Sequence, residues 1–382
     1  MSRPSEALRI AVVAHPRHPV AEPFMGGLEA HTAHLCRALT RRGHDVTLFA
    51  AGDSSAEATL RPILPRHYEC DYPWHRFRET SALTGLLDGA YGGILEELGH
   101  FDVVHNNSLH RYIPRLARRD RVPMVTSLHV PPFPVLERTV ASAGAPWSRF
   151  TCCSRSHARS WWPTRPMPPH AHVICNGIDP DLWRFGDMVG GSAVWVGRMS
   201  RTKAPHLAAA AARKAGIPLR LFGTVDDRDY FDAEVRPFLG SGITFEGHLA
   251  GAALAEEMRY SSLLLFTPVW EEPFGLVAAE AMACGLPVAG FDMGAAREVV
   301  GEAGVLVAPG DADALARAIG AALEIPRDVP RARVEALFTH DRMVSGYEAL
   351  YRDVIAAVDR PAVDVAFSPI ELPPRDARSL AG

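Results

Sequence analysis

The 382-residue chain has few cysteines, no long apolar run and no strong excess of charge of either sign. Its six cysteines show no CxxC spacing, so we expect neither disulfides nor a zinc site. The net charge of -4 and the pI near 6.5 argue against non-specific binding to nucleic acid. The first apolar run, residues 10–14, is too short for a signal-peptide core, and no segment reaches bilayer-spanning length. We therefore expect a cytoplasmic protein without a transmembrane segment.

The first half of the chain alternates short apolar runs with helical patterns, which predicts a parallel α/β domain. A helix is predicted over residues 28–42, ending at Gly43. The predicted strands cover residues 9–14, 45–50, 102–105, 124–129, 150–154 and 172–175. A strand, a loop with Gly26 and Gly27, a helix and a second strand are typical of a Rossmann-like domain.

A second series of the same kind follows residues 179–191, a stretch with Pro180 and several glycines that suits a linker. Its predicted strands cover residues 193–197, 219–223, 243–247, 263–268, 287–291 and 304–308, and its helices cover 203–215, 251–261 and 311–323. The sequence thus predicts two doubly wound Rossmann-like domains, residues 1–187 and 188–340, facing a cleft. A helix over 341–360 is expected to return to the first domain, and proline-rich residues 361–382 to form an irregular tail.

One predicted helix of the second half carries a carboxylate among small apolar residues. Glu280 stands between alanines in a helix that follows an apolar strand and a loop and ends at Gly285. Such a helix has no polar face and is expected to be buried, so the carboxylate must be hydrogen-bonded or neutralised. Hydroxyl groups of a bound ligand would satisfy it; an internal ion pair is the alternative.

The predicted first strand of the first domain is followed by two glycines, and that of the second domain is followed by two cations. Open parallel sheets bind ligands at these carboxyl ends of strands. Arg198 lies at the carboxyl end of the strand and Lys203 at the start of the next helix, where positive charge opposes the helix dipole unless an anion lies between the two cations. Gly26 and Gly27 precede the first helix, where backbone N–H groups can approach a phosphate. A phosphate clamp is one interpretation; a solvated pair of cations and a glycine turn without a ligand are the others.

The turn before the helix of Glu280 presents backbone N–H groups at another helix start. This turn contains Glu272, Pro273, Phe274, Gly275 and Leu276. Together with the cations, this turn indicates a binding site for a diphosphate. Glu272 and Glu280 are then acceptors for hydroxyl groups on its two sides, one from a sugar and one from a ribose. Capping of the helix start is the alternative role of Glu272.

His129 ends the predicted strand over residues 124–129 and precedes Val130, so its ring should project from a strand terminus into a site. It is a candidate catalytic residue, with a structural role as the alternative, since the chain has 17 histidines. His31 and His34 share a helix face but lack HExxH spacing and a third ligand. We therefore predict no metal site.

A basic stretch of the first domain is interpreted as a solvated helix face, with contact to anionic lipid or to an acceptor as the alternative. It contains Arg111, Arg115, Arg118, Arg119 and Arg121. Trp161 and Trp162 are open to the same two interpretations, a structural surface position or contact with a lipid or an acceptor.

In these motifs the chain resembles the retaining GT-B glycosyltransferases of family four, which include glycogen and sucrose synthase-like enzymes and phosphatidylinositol mannosyltransferases. The resemblance spans nearly the whole chain. The matching pieces are Gly26-Gly27-Leu28-Glu29, His105 after Asp102-Val103-Val104, Thr126-Ser127-Leu128-His129, Asn176-Gly177-Ile178-Asp179, Gly197-Arg198 with Lys203, and Glu272 with Glu280.

The resemblance implies a role for each candidate residue. Arg198 and Lys203 would hold the donor diphosphate, and Glu280 would hold the ribose. Glu272 and the backbone of residues 274–276 would hold the donor sugar, with His129 beside it. Gly26 and Gly27 would line the donor site, and the strand end with His248 and Leu249 would recognise the base.

Two positions depart from the family pattern. Ala204 follows Lys203 where the family usually has glycine, and we expect this methyl group to have little effect. Asn106 and Asn107 follow His105, and this polar pair is a candidate for an acceptor site.

The expected function is transfer of a glycosyl group from a nucleoside diphosphate sugar to an acceptor, with retention at the anomeric carbon. Arg198, Lys203 and helix N-termini supply positive charge for the leaving diphosphate, so no metal or other cofactor is expected. A UDP-sugar is favoured over a GDP-sugar as the donor. The acceptor is a small molecule, a glycan or a lipid-linked compound, and peripheral membrane contact is compatible with the sequence. The oligomeric state is open.

Three other functions fit parts of the pattern. A nucleotide-sugar epimerase of the same architecture would use the same donor site, and a non-catalytic nucleotide-sugar binding protein would need no turnover. A glycoside hydrolase could use Glu272 and Glu280 as its carboxylate pair, but the cations and the glycine-rich turn would then have no role.

Overall fold

A computed structural model describes residues 7–187, 190–249 and 251–358. The chain divides into two compact domains. The first contains the chain up to Cys153, Ser160–Ile174 and the chain from Val344 onward, and the second contains Ser154–Arg159 and Cys175–Met343. Within the described ranges, no helix is both long enough and apolar enough to cross a membrane. The predicted tail over 361–382, and residues 359–360 of the predicted final helix, lie outside the described residues.

The first domain is built on a parallel sheet with the strand order β3-β2-β1-β4-β5-β6-β7. Its strands are β1 Arg9–Val13, β2 Asp45–Ala51, β3 Thr59–Leu64, β4 Val103–Asn106, β5 Met124–Ser127, β6 Ser148–Cys152 and β7 Ala171–Val173. Ile10 and Ala11 point to opposite faces of β1 and are both fully buried. Burial on both faces explains why β1 is a continuous apolar run without alternation.

Helices cover the first sheet. They are α1 Gly27–Arg41, α2 Trp74–Phe77, α3 Ser81–Gly92, α4 Leu95–Leu98, α5 Tyr112–Asp120 and α6 Pro134–Ala143, followed by α7 Arg155–Trp161, which spans residues of both domains. Helix α1 buries Leu35 and Leu39 on one face. It ends before Gly43, whose φ of +89° lies in the left-handed region that favours glycine.

The second domain repeats this plan with the strand order β10-β9-β8-β11-β12-β13, again with parallel neighbours. Its strands are β8 Ala193–Val196, β9 Leu219–Phe222, β10 Ile243–Gly247, β11 Leu264–Phe266, β12 Val288–Phe291 and β13 Gly304–Val307. Its helices are α8 Pro205–Ala215, α9 Arg228–Tyr230, α10 Gly251–Arg259, α11 Leu276–Ala283, α12 Ala296–Val300, α13 Ala312–Leu323 and α14 Asp328–Leu337. Trp195, Leu221 and Phe291 lie in its apolar core.

The last described helix, α15 His340–Val358, begins in the second domain and continues in the first from Val344 onward. There its Tyr351 hydroxyl lies 2.6 Å from His105 Nδ1, and its Glu348 carboxylate accepts a hydrogen bond of 3.0 Å from Arg42. The helix thus returns to the first domain, as the resemblance implies.

The chain passes from the first domain to the second between Ile174 and Cys175, whereas the sequence places the boundary near residue 188. Residues 175–187 pack with the second domain because two arginines donate hydrogen bonds to carbonyl groups of this segment. One arginine is the N-cap of α14, and the other lies within α14. Arg327 donates to the Gly186 carbonyl at 2.6 Å, and Arg331 donates to the Trp183 carbonyl at 2.9 Å. Proline and glycine gave this segment the composition of a linker, but its backbone is fixed by hydrogen bonds.

The predicted strands and long helices are all present, with ends that shift by a few residues. Two shifts affect functional candidates: α8 begins at Pro205, so Lys203 lies in the preceding turn, and β5 ends at Ser127, two residues before His129. No strand was predicted at β3, an edge strand with Pro62 and exposed Arg61. Edge strands tolerate proline and charge, so their pattern resembles that of a loop.

Candidate functional sites

In the second domain, the loops after β8 and β9 approach each other closely. A Cβ atom added at Gly223 would lie 1.8 Å from the Gly197 carbonyl oxygen, and Gly223 has a φ of +144°. The Met199 amide donates to the Thr224 carbonyl at 2.8 Å. Glycine at 223 is therefore required for the loop that presents Arg198.

Arg198 donates to Asp226 Oδ2 at 3.0 Å, and its side chain is 46% exposed. Asp226 follows the end of β9 and also accepts a hydrogen bond of 3.1 Å from Thr224 Oγ1. The sequence did not identify Asp226, although it obeys the same rule of polar residues at strand ends. The exposed guanidinium is oriented by a carboxylate at the carboxyl edge of the sheet.

Lys203 and Glu272 form an ion pair between the turn before α8 and the loop after β11. Trp270 Nε1 donates to Glu272 Oε2 at 2.9 Å, and Lys203 Nζ lies 5.2 Å from the centre of the Trp270 ring. The Glu272 side chain is 9% exposed and that of Lys203 is 21% exposed. The structure therefore gives Glu272 an ionic partner, whereas the alternative from the sequence was a helix cap.

Backbone contacts hold both partners of this ion pair in place. The Val269 amide donates to the Thr202 carbonyl at 2.9 Å, and Thr267 Oγ1 donates to the Lys203 carbonyl at 2.9 Å. A Cβ atom added at Gly294 would lie 2.4 Å from the Glu272 backbone nitrogen. The pair is thus supported by the sheet and not only by flexible side chains.

Ala204 adopts a left-handed conformation, with a φ of +46°, at the N-cap of α8. Its methyl group is fully buried. A left-handed conformation costs an alanine roughly 1 kcal/mol, which explains why glycine suits this position. The departure from the family pattern therefore affects the backbone of the turn.

Helix α11 starts directly after the Glu272 loop. Gly275 is its N-cap with a φ of +85°, and a Cβ atom there would lie 2.8 Å from the Phe266 ring. Phe274 is buried and packs edge-to-face on Phe338 at 5.4 Å between ring centres. The turn of residues 273–276 thus presents a helix N-terminus next to Glu272.

Glu280 lies on α11, whose alanines at 278, 279, 281 and 283 are fully buried, as the sequence predicts. Glu280 as a residue is half-buried, and burial of its carboxyl group raises the pKa of that group to about 7. In the part of the chain that the structure describes, Glu280 forms no ion pair. The alternative of an internal ion pair therefore finds no support.

His248 and Leu249 follow β10 at the same edge of this sheet, with His248 exposed and Leu249 half-buried. The Gly223 amide donates to the Gly247 carbonyl at 2.8 Å, which ties this strand end to the loop after β9. Strand ends of the second domain thus carry Arg198, Glu272 and His248 on one edge of its sheet.

In the first domain, Gly26 is the N-cap of α1, and Gly27 is its first residue. The φ of Gly26 is -163°, an extended conformation open to any residue. A Cβ atom there would lie 3.0 Å from Glu29 Oε2, so the small side chain leaves room for this carboxylate. The helix start is where the sequence places it, after β1.

His129 lies at the carboxyl edge of the first sheet within a network of buried polar side chains. Its Nε2 lies 2.8 Å from Asn107 Oδ1, and its ring meets His31 edge-to-face at 4.6 Å between ring centres. His105 Nε2 lies 3.0 Å from the same Asn107 oxygen and 3.0 Å from Ser127 Oγ. The sequence proposed Asn106 and Asn107 as acceptor residues, but both are fully buried and serve this internal network.

The basic stretch from Arg111 to Arg121 is only in part the solvated face that the sequence suggests, because Arg119 is exposed but Arg118 is buried. Arg118 is buried and lies over the Trp147 ring at 5.5 Å, and Arg121 lies over the same ring at 4.4 Å and donates to the Val358 carbonyl. Arg111 binds Asp88 at 2.5 Å. Cations stacked on an aromatic ring serve packing, and sequence periodicity does not show the ring. Trp161 is likewise buried and donates to the Val130 carbonyl at 3.1 Å.

Burial lowers the pKa of His105 to about 3, so its ring is neutral at physiological pH. The neutral ring contributes fully to the stability of the folded protein above pH 6.5, the pKa of histidine in the unfolded chain. This contribution is lost as the pH falls from 6.5 toward 3. Between pH 7 and 5 the wild type should lose about 2 kcal/mol of unfolding free energy relative to His105→Gln. Urea denaturation of both proteins at the two pH values measures this; a difference independent of pH would contradict it.

The two domains match separate family models. Residues 25–182 match the model described as Glycosyltransferase Family 4, and residues 191–324 match that described as Glycosyl transferases group 1. The D-inositol 3-phosphate glycosyltransferase of Mycobacterium avium is 27% identical, over 88% of this chain and 91% of that protein. The glycogen synthase of Mycobacterium tuberculosis is also 27% identical, over 89% of this chain and 91% of that protein.

Solved structures resemble the whole chain in fold. The sucrose-phosphate synthase of Thermosynechococcus elongatus has a TM-score of 0.74 at 23% identity, covering 91% of this chain and 99% of its own. HepE of Anabaena, solved in complex with UDP-glucose, has a TM-score of 0.71 at 19% identity, covering 90% of this chain and 100% of its own.

Proposed function

The chain belongs to the family four glycosyltransferases and has the GT-B fold, and on that premise we propose that it transfers a sugar from a nucleoside diphosphate donor with retention at the anomeric carbon. The observation that carries this proposal is the Lys203–Glu272 ion pair beside the N-terminus of α11. It brings a cation, a carboxylate and helix N–H groups together from two loops of the second domain. A diphosphate sugar needs these three groups together.

In this proposal Lys203 and Arg198 neutralise the diphosphate as it leaves. The Arg198 guanidinium is 46% exposed and oriented by Asp226, so it can reach a ligand without first losing a buried partner. A diphosphate would compete with Glu272 for the Lys203 ammonium, which links donor binding to the release of a carboxylate. Positive charge fixed at the leaving group is the role that a metal has in other transferases, so we propose metal-independent transfer.

Glu272 then accepts hydroxyl groups of the transferred sugar, with the backbone of residues 274–276 beside it. Glu280 accepts the ribose hydroxyls, because a half-buried carboxyl without an ion pair in the described chain gains most from such donors. The strand end with His248 and Leu249 contacts the base. We propose UDP over GDP as the nucleotide, and the similar fold of HepE, solved with UDP-glucose, supports that choice.

The acceptor side of the reaction is assigned to the first domain, where His129 is the candidate group beside the sugar. By resemblance to the family, the acceptor hydroxyl attacks the anomeric carbon while the bond to the diphosphate breaks. The departing phosphate oxygen takes the acceptor proton on the same face. The relatives named above differ in their acceptors at equal identity, so the acceptor class is not transferred from them.

Transfer should occur in the presence of a chelator and give a product with the anomeric configuration of the donor. The test incubates the protein with UDP-glucose, GDP-mannose and a set of inositol phosphate, glucan and lipid-linked acceptors, with and without EDTA. NMR of the anomeric proton reads the configuration. Inversion, or activity that EDTA abolishes and a divalent ion restores, would refute the corresponding part of the proposal.

The same donors in a thermal-shift panel separate the alternatives. A donor at 100 times its Kd adds about 2.7 kcal/mol to stability, which is a clear shift in Tm. Binding with epimerised donor and no transfer would indicate an epimerase. Binding without any turnover would indicate a binding protein, and absence of binding to every nucleotide sugar would refute the donor site itself.

A further inference from the structure

Asn107 connects His129 to helix α1 through directional hydrogen bonds inside the first domain. Thr32 Oγ1 donates to the Leu28 carbonyl at 2.8 Å, so this oxygen acts as an acceptor toward its other neighbour. That neighbour is Asn107 Nδ2, 3.2 Å away. The amide nitrogen of Asn107 therefore faces Thr32, and its carbonyl oxygen Oδ1 faces the two histidines.

This orientation determines which ring nitrogen of His129 carries a proton. Asn107 Oδ1 can only accept, and His129 Nε2 lies 2.8 Å from it, so Nε2 must be protonated. When the ring is neutral, its acceptor lone pair is therefore on Nδ1. The same oxygen accepts from His105 Nε2 at 3.0 Å, and His105 Nδ1 in turn accepts from the Tyr351 hydroxyl.

Asn107 is itself held rigidly. Its side chain is fully buried, and its backbone amide donates to the Val13 carbonyl at 2.8 Å, directly after β4. His129 lies two residues beyond β5 and is half-buried, whereas Asn107 directly follows β4. Rigid groups that support a more exposed functional side chain are what a preorganised site requires.

We propose that Asn107 is a positioning residue for the transfer reaction: it holds the His129 ring in one orientation and in the Nε2–H form through the Thr32–Asn107–His129 chain. This inference rests on the proposed function, because that function assigns His129 to the sugar. The consequence for catalysis is that Nε2, whose proton is donated to Asn107, is not the ring nitrogen that acts on the substrate.

The isosteric variants Asn107→Leu and Asn107→Asp separate this role from a structural one. Leucine fills a similar volume but accepts no hydrogen bond, whereas aspartate keeps the acceptor that faces His129. In protein with ¹⁵N-labelled histidine, the wild type should show a slowly exchanging His129 proton on Nε2, assigned by its absence in His129→Gln. The exchange rate of this proton should rise at least about tenfold in Asn107→Leu and stay near the wild-type rate in Asn107→Asp.

Kinetics supply the second readout. Loss of an outer partner of a functional histidine typically costs about 10- to 100-fold, so kcat of Asn107→Leu should fall by that factor. Its donor KM should change less than about threefold, because the charged residues proposed to hold the diphosphate and the ribose, Arg198, Lys203 and Glu280, lie in the second domain. Tyr351→Phe is the matched control: it removes the hydroxyl bound to His105 but leaves the His129–Asn107 bond, so the His129 proton should be unaffected.

The outcomes distinguish this inference from the function on which it rests. A wild type without transferase activity refutes the proposed function, yet the His129 proton still tests the role of Asn107. A wild type that lacks the Nε2 proton, or an Asn107→Leu protein with unchanged proton exchange and kcat within twofold, overturns the inference. If Asn107→Leu does not fold, Asn107→Asp decides, because a kcat below a tenth of the wild-type value there also overturns it.

Discussion

Lys203→Ala is expected to lower kcat by about 10²- to 10³-fold and to destabilise the second domain by about 3 kcal/mol. The kinetic loss follows because one fixed cation in a site shielded from water contributes roughly 2–4 kcal/mol to transition-state stabilisation. The loss of stability follows because Glu272, with only 9% of its side chain exposed, keeps its charge without a cationic partner. Initial rates of transfer and urea denaturation measure the two effects separately.

A double variant separates the loss of kcat, caused by the missing cation, from the loss of stability, caused by the unpaired carboxylate. Lys203→Met combined with Glu272→Gln removes both charges, so most of the stability should return. Activity should stay low, because the cation for the diphosphate is still missing. Recovery of kcat in the double variant would show that Lys203 acts only through its pairing with Glu272.

Lys214→Ala is the matched control for this prediction. Lys214 also pairs with a carboxylate, Asp313, but the two side chains are 55% and 60% exposed. Exposed ion pairs contribute little, so neither stability nor rate should change measurably. Equal effects at Lys203 and Lys214 would mean that the loss reflects lysine removal in general and would contradict the clamp.

Glu280→Gln is expected to stabilise the free protein at pH 8 and to weaken donor binding by about 10- to 100-fold. Burial raises the folded pKa of Glu280 from 4.5 to about 7, so folding favours the protonated carboxyl. Stability is therefore lost as the pH rises from about 4.5 through 7, by at most about 3 kcal/mol because the group is only half-buried. Glutamine removes this loss, and it also removes the charged acceptor for ribose hydroxyls, worth roughly 1.5–3 kcal/mol.

Two measurements test this prediction. Urea denaturation at pH 5 and pH 8 should show that the advantage of Glu280→Gln over wild type grows with pH. Calorimetry in buffers of different ionisation enthalpy should show proton release when the wild type binds donor near pH 7, because hydroxyl donors favour the charged carboxylate. The exposed neighbour Glu271→Gln serves as the control and should change neither quantity. Equal donor affinity in Glu280→Gln and wild type would refute the ribose assignment.

The parallel α/β architecture could be predicted because inner strands such as β1, β11 and β12 are buried on both faces and so leave uninterrupted apolar runs. Helix α11 is the clearest case: alanines without a polar face predicted burial, and Gly285 predicted its end. The edge strand β3 could not be predicted in this way, because exposed edges carry proline and charge. Residues 175–187 were also misleading, since their hydrogen bonds come from Arg327 and Arg331, more than 140 positions away.

The candidate residues were found by the same logic of strand ends, but their partners were not. The sequence selected Lys203, Glu272 and His129 without showing that the first two pair with each other. It assigned the arginines of α5 to solvent because Trp147, on which two of them stack, is distant in sequence.

Local order and burial are thus what the sequence by itself determined, because apolar periodicity, glycines and prolines act on neighbouring residues. It also determined which residue types stand at the carboxyl ends of the strands. Only the tertiary structure decided which charges are paired, which arginines are packed and that Asn107 faces His129. These contacts join loops and helices that are distant in the sequence, and the distance between their side chains depends on the order of the strands and on the packing of the helices, which no local pattern records.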